Sequence, residues 1–221
     1  MNETYRPTLD ETIKPPEPEK TEPREKVLHR ERIGVREYVI TGESPEVMEK
    51  WHGQIQEIVD ALNKRDLDKL VELMQSGKYQ IDNQKITEIL EQEINDEESL
   101  NLFGIALWIL REQDKWAGHR KIVTKMLKGG EYSLSSFLEA GGKPWCLEST
   151  VLAKTMAENF GIKGEIKRAP IMHRYFQAAS GKILDVWWGY RRGGVFQNEQ
   201  QWKEGKVVKE KHPCGKSQKF K

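Results

Sequence analysis

Cys146, His173 and Asp185 are residues whose types and spacing suit one kind of chemistry, attack by a thiolate on a carbonyl carbon. Cys146 stands in Gly142-Lys143-Pro144-Trp145-Cys146-Leu147-Glu148-Ser149-Thr150, where a loop is expected to run into a helix. Val151, Leu152, Met156 and Phe160 follow at the spacing of an apolar helical face. A thiol at a helix start meets unpaired backbone N–H groups and the positive end of the helix dipole, and both favour the thiolate. Such a nucleophile also needs a base to take and return a proton, and a third group to orient that base. His173, in Met-His-Arg-Tyr-Phe, is the candidate base, and Asp185, in Ile-Leu-Asp-Val-Trp-Trp, the candidate carboxylate. A carboxylate in so apolar a run needs a partner. His173 is the natural one, with Arg174 or an arginine of Arg191-Arg192 as the structural alternative.

The elements that must position these groups are legible in part. After Cys146 the helix is expected to reach Asn159 or Phe160 and to stop at Gly161. Strands are expected over 164–169, 172–179 and 183–188, with a tight turn at Ser180-Gly181 between the last two. A symmetric hairpin about that turn pairs position 173 with 187 or 188, so Asp185 lies diagonal to His173. Another turn into a strand is expected over 203–208, and a polar, basic end over 209–221.

Upstream, Ser44-Pro45-Glu46-Val47 carries a serine cap and a first-turn proline, which predicts a helix start. That helix runs to about Asn63 with Trp51, Ile55, Ile58, Val59 and Leu62 on one face, and a short second helix carries Leu67, Leu70, Val71 and Met74. Further helices are expected over 81–94, 100–116, 120–127 and 133–140. The one over 100–116 is apolar nearly all round, which predicts burial between other elements. Residues 1–44 hold many prolines and charges and few aliphatics, the composition of a disordered tail, although 35–40 alternates enough for an edge strand. The expected organisation is therefore a tail over 1–44, a helical subdomain over 45–128 and a core over 129–221. Helices first and antiparallel strands afterwards make the class α+β.

Composition narrows the function. The 221 residues carry 36 basic and 35 acidic side chains, a formal charge of +1, which argues against a nucleic-acid partner. Two cysteines make no disulfide framework, and neither a signal peptide nor a membrane-spanning run is visible, so a cytoplasmic setting without membrane partners is expected. His212-Pro213-Cys214 lacks the second cysteine pair of a zinc site, so no metal is expected.

The stretch from about residue 134 to 189 resembles the transglutaminase-like superfamily, a circularly rearranged relative of the papain-type cysteine proteases. The matching pieces are Gly141-Gly142-Lys143-Pro144-Trp145-Cys146, Phe160-Gly161-Ile162, His173-Arg174-Tyr175 and Leu184-Asp185-Val186-Trp187. They cover about a quarter of the chain and stand in the family's order. The resemblance implies a cysteine-bearing helix packed on an antiparallel sheet, with Cys146 as nucleophile, His173 as base and Asp185 as orienting carboxylate. It implies an oxyanion hole made by the nucleophile's backbone N–H and an upstream side chain, for which Trp108, Gln113 and Trp116 are all candidates. Trp145 and Trp187 would line the cleft.

The activity this implies is attack on the amide bonds of a protein or peptide substrate through a thioester. Hydrolysis is expected ahead of cross-linking, with no cofactor. The competing function is a catalytically inactive scaffold of the same fold that binds a partner. A related arylamine-type acetyltransferase would need an acyl-CoA site, which the sequence does not display. Each residue also has a plainer use. A cysteine on a helix often serves as a small buried hydrophobe. Trp187, Trp188 and Trp202 suit core packing as well as a cleft, and Glu148 suits no more than an N-terminal helix charge.

Overall fold

The computed structural model describes residues 26–33, 35–75, 86–87, 94, 96–115, 130–135, 146–169, 173–186 and 194–206. Within them the chain is a mixed α+β protein with two sheets. Helix α1 (Pro45–Lys64) starts where Ser44 Oγ accepts the Val47 N–H at 3.4 Å, and it ends at Arg65 in the left-handed conformation, φ 53°. Helix α2 (Leu67–Met74) is capped by Asp66, whose carboxylate accepts the Lys69 N–H at 2.9 Å. Helix α3 (Glu97–Lys115) begins at Asp96, which accepts both the backbone N–H and the hydroxyl of Ser99 at 2.8 Å each. Residues Leu102, Phe103 and Ile105 to Leu110 are all buried, so α3 is the central helix that its composition predicts.

The approach of α3 to α1 turns on Gly104. A Cβ there would lie 2.4 Å from Val59 Cγ2, so the two helices meet at a distance only glycine allows. Gly104→Ala is accordingly expected to destabilise the fold by about 1–3 kcal/mol through overpacking. This would occur although alanine favours an isolated helix by about 1 kcal/mol. Urea unfolding checks this; an unchanged midpoint would mean that the helices part without cost.

Helix α4 (Cys146–Asn159) buries Leu147, Val151, Leu152, Ala153, Met156 and Ala157. It closes with a Schellman cap: Gly161 takes φ 75°, its N–H donates to Glu158 O, and the Ile162 N–H donates to Ala157 O. A four-stranded antiparallel sheet follows in the order β4 (Gly164–Arg168), β5 (Arg174–Ala178), β6 (Ile183–Asp185) and β7 (Gly194–Phe196). The β5–β6 hairpin turns at Ser180-Gly181 with Gly181 at φ 95°, as the sequence predicts. Phe176, Ala178 and Leu184 pack in the cluster that also holds the apolar face of α4, while Tyr175 and Ile183 cluster with Trp202.

Three expectations need correction. Residues 1–44 are not wholly a tail, for β1 (Val27–Ile33) and β2 (Arg36–Thr41) form an antiparallel hairpin. Strand β2 also pairs in parallel with β3 (Gly130–Ser133), and Val39, Ile40 and Thr41 are buried. The partner strand lies some ninety residues downstream, which local composition cannot reveal. Second, the segment expected as a turn into a strand over 203–208 is helical through 206, in α5 (Glu199–Lys206). Asn198 caps it by accepting the Gln201 N–H at 2.9 Å, Lys203 pairs with Glu199 at 2.7 Å, and Trp202 anchors it. Third, the helices over 45–128 share a single hydrophobic cluster with α4 and the second sheet, from Ile55 and Trp108 through Met156 to Phe176 and Leu184. They do not form a separate core.

The expected helix over 120–127 lies outside the described residues, as does most of those over 81–94 and 133–140 and the end over 209–221; Ile86 is buried in the shared cluster. Among the described residues no helix is long and apolar enough to cross a membrane.

Candidate active site

The site is built where β5 and β6 leave the sheet. The ladder pairs Phe176 with Leu184 and Gln177 with Ile183. Extended by three residues, that register sets position 173 opposite 187, so Asp185 is diagonal to His173, as the sequence predicts. Strand alternation puts 173, 175, 183 and 185 on one face. On that face Asp185 is 0% exposed and His173 6%. His173 Nε2 donates to both carboxylate oxygens of Asp185, at 3.0 and 2.9 Å. A hydrogen held on Nε2 leaves the lone pair of neutral imidazole on Nδ1, which makes Nδ1 the basic nitrogen.

Asp185 also accepts the indole N–H of Trp202 at 2.7 Å on Oδ2. Trp202 is 4% exposed, and its ring meets that of Tyr175 at 4.3 Å between centroids. This use of Trp202 is the main feature that sequence reasoning missed. The signal available was one tryptophan in the otherwise polar run Glu199-Gln200-Gln201-Trp202-Lys203-Glu204. Such a ring must bury against something, and a buried indole N–H needs an acceptor. Which acceptor it would meet was not readable.

The helix bearing Cys146 reaches the same strand. Cys146 is the first residue of α4; its side chain lies outside the described residues. One turn on, Thr150 Oγ1 donates to the carbonyl of Arg174 at 3.1 Å, which ties the first turns of α4 to the residue after His173. His173 itself stands one position before β5, at the end of the strand.

Two neighbours complete the surroundings. Glu148, in the first turn of α4, is buried and accepts the Tyr132 hydroxyl at 2.8 Å. It therefore does more than bear a charge at the helix start. Burial, then the charge of Glu148 and the bond to it, push the Tyr132 phenol far above its ordinary value, so it remains a donor. Arg174, 5% exposed, does not take Asp185; its guanidinium pairs with the Glu31 carboxylate from β1, and its Nη1 donates to the carbonyl of His173 at 3.3 Å. Arg191 and Arg192 lie outside the described residues.

Of the expected oxyanion donors, Trp108 is buried among the helices, tilted against Trp51, and its indole N–H donates to Gln54 Oε1 at 3.0 Å. Its one polar hydrogen is committed to the helical core, which removes it from that role in this arrangement. Gln113 is on α3, but its side chain lies outside the described residues, as do Trp116, Trp145, Trp187, Trp188 and Cys214. Among the described residues no three His, Cys, Asp or Glu side chains gather in a way that could hold a metal ion. Compared with known proteins, the chain matches no family model, no curated protein and no solved structure.

Proposed function

We propose that this chain is a cysteine-dependent enzyme of amide bonds, with a transglutaminase-like core in which Cys146, His173 and Asp185 act as nucleophile, base and orienting carboxylate. The observation that carries this reading is the buried His173–Asp185 pair, capped by the Trp202 indole, on the strand that receives the first turns of the cysteine helix. A doubly accepting carboxylate fixes both the ring plane and the tautomer of a histidine, which is what a general base requires.

In the proposed reaction His173 Nδ1 takes the Cys146 proton, and the sulfur attacks the carbonyl carbon of a protein or peptide amide. The negative charge on the oxygen is met by the backbone N–H of residue 146 at the helix start. His173 then protonates the departing nitrogen as the C–N bond breaks, leaving a thioester. Water adds to the thioester, His173 takes a proton from it, and the acid departs with the thiol restored. An amine in place of water gives transamidation by the same steps. Hydrolysis leads because it requires no second binding site.

The test is the reactivity of the thiol. With iodoacetamide between pH 5 and 9, Cys146 is expected to alkylate about 10-fold faster than Cys214 near neutrality, and the two rates to converge at high pH. Peptide mass spectrometry reads both sites in one sample. Equal rates at every pH would reduce the fold to a scaffold with a buried histidine–aspartate pair.

A further inference from the structure

The hairpin β1–β2 reaches the candidate site through one side chain. Glu31 of β1 pairs with the guanidinium of Arg174, and that guanidinium also donates through Nη1 to the carbonyl of His173 at 3.3 Å. The carbonyl of Arg174 accepts the hydroxyl of Thr150 on α4 at 3.1 Å. The carbonyls of residues 173 and 174 are thus held by side chains answering to two different elements, the N-terminal hairpin and the cysteine helix. Strand β1 also touches α4 directly, and His29 Nε2 stands 3.5 Å from Glu31 Oε2, beside the ion pair. A planar guanidinium with a fixed fork of donors cannot turn toward one acceptor without turning from another. Its orientation, set by Glu31, therefore fixes the peptide from which the His173 side chain leaves.

We propose that Glu31 is a positioning residue for His173, and that the N-terminal hairpin is thereby a working part of the active site. The proposal rests on the triad reading above for its effect on chemistry, but not for its effect on His173. Without Glu31 the Arg174 guanidinium loses the partner that aims it, and the peptide at 173 is free to rotate. The Nε2–H then departs from its position between the two oxygens of Asp185. The hairpin lies more than a hundred residues ahead of the histidine in sequence, so whatever displaces it, by competition or cleavage, acts on the site from a distance.

The experiment compares the full-length chain with its Glu31→Ala, Glu31→Gln and Glu31→Asp variants, using three readouts. Circular dichroism reports folding. The low-field proton resonance of His173 Nε2–H reports the bond to Asp185 whether or not the cysteine is reactive. The pH profile of Cys146 alkylation, with Cys214 as internal reference, reports the thiol. Glu31→Ala is expected to fold, to broaden or shift the His173 resonance and to slow alkylation of Cys146 near neutrality about 10-fold, with Glu31→Asp restoring most of both. Should Glu31→Ala fail to fold, the nearly isosteric Glu31→Gln takes its place with the same expected direction. A folded variant whose His173 resonance and alkylation profile match the parent overturns the proposal. If Cys146 is unreactive in the parent while the His173 resonance still moves with Glu31, the triad reading fails and the positioning role stands.

Discussion

His173→Ala is expected to remove the selective reactivity of Cys146, slowing its alkylation near pH 7 about 100-fold while Cys214 is unchanged. The size follows from what the imidazole contributes. Positioned proton transfer accounts for about 10²–10⁴-fold in enzymes that use it, and alkylation reads the part of this held in the ground-state thiolate. Without the imidazole, the thiol keeps the field of the α4 N-terminus, worth about 0.3–1 kcal/mol, or a factor of roughly 2–5. A small residual preference over Cys214 should therefore survive the substitution. The loss is expected near neutrality and should fade as pH rises past the ordinary thiol value of about 8.5, where any exposed cysteine ionises unaided. That crossover separates a lost base from a lost fold, since unfolding would bring the two cysteines together at every pH. An unchanged ratio of Cys146 to Cys214 in a folded His173→Ala protein would sink the triad.

The parts of this site that were legible in the sequence are those set by local pattern. Ser44 and Pro45 announce α1, Gly161 closes α4, and Ser180-Gly181 places the turn that makes Asp185 diagonal to His173. In each case the physics acts within a few residues: a cap, a left-handed glycine, a two-residue turn. The buried charge of Asp185 was legible too, because a carboxylate between Leu184 and Val186 demands a donor.

What escaped depends on contacts between distant residues. The hairpin over 27–41 is stabilised by pairing with β3 and by burial of Ile40, and neither can be read from a charged, proline-flanked stretch. The Arg174–Glu31 pair spans 143 positions. Trp108 looked available upstream of the cysteine, yet Gln54 already holds its hydrogen. Trp202 looked like core packing, and it is core packing as well as a donor to Asp185. Single tryptophans carry both an apolar ring and one polar hydrogen, so sequence alone leaves the hydrogen's destination open.

Asp185→Ala is expected to carry the largest combined loss. The carboxylate is fully buried and gathers donors from two elements, His173 Nε2 beside β5 and Trp202 Nε1 on α5. Removing it takes the shared acceptor from both and leaves a cavity between them. Breaking a buried charged pair costs about 3–5 kcal/mol. A domain of ordinary stability has only about 5–15 kcal/mol in total. Urea unfolding should therefore shift by a large fraction of its range, and α5, which is anchored through Trp202, should be the first element to loosen. Asp185→Asn separates the charge from the shape. It fills the same volume and keeps one acceptor oxygen, so it is expected to recover much of the stability. Its amide bears hydrogens where Asp185 presents only acceptors, so one of the two present donors must turn away or meet another donor. The imidazole is then no longer held with its hydrogen on Nε2, and alkylation of Cys146 should fall nearly as far as in His173→Ala. A stable Asp185→Asn protein with an unreactive cysteine is the signature of a carboxylate whose work is orientation. If Asp185→Asn is both stable and fully reactive, the carboxylate serves packing alone and the histidine takes its orientation from elsewhere.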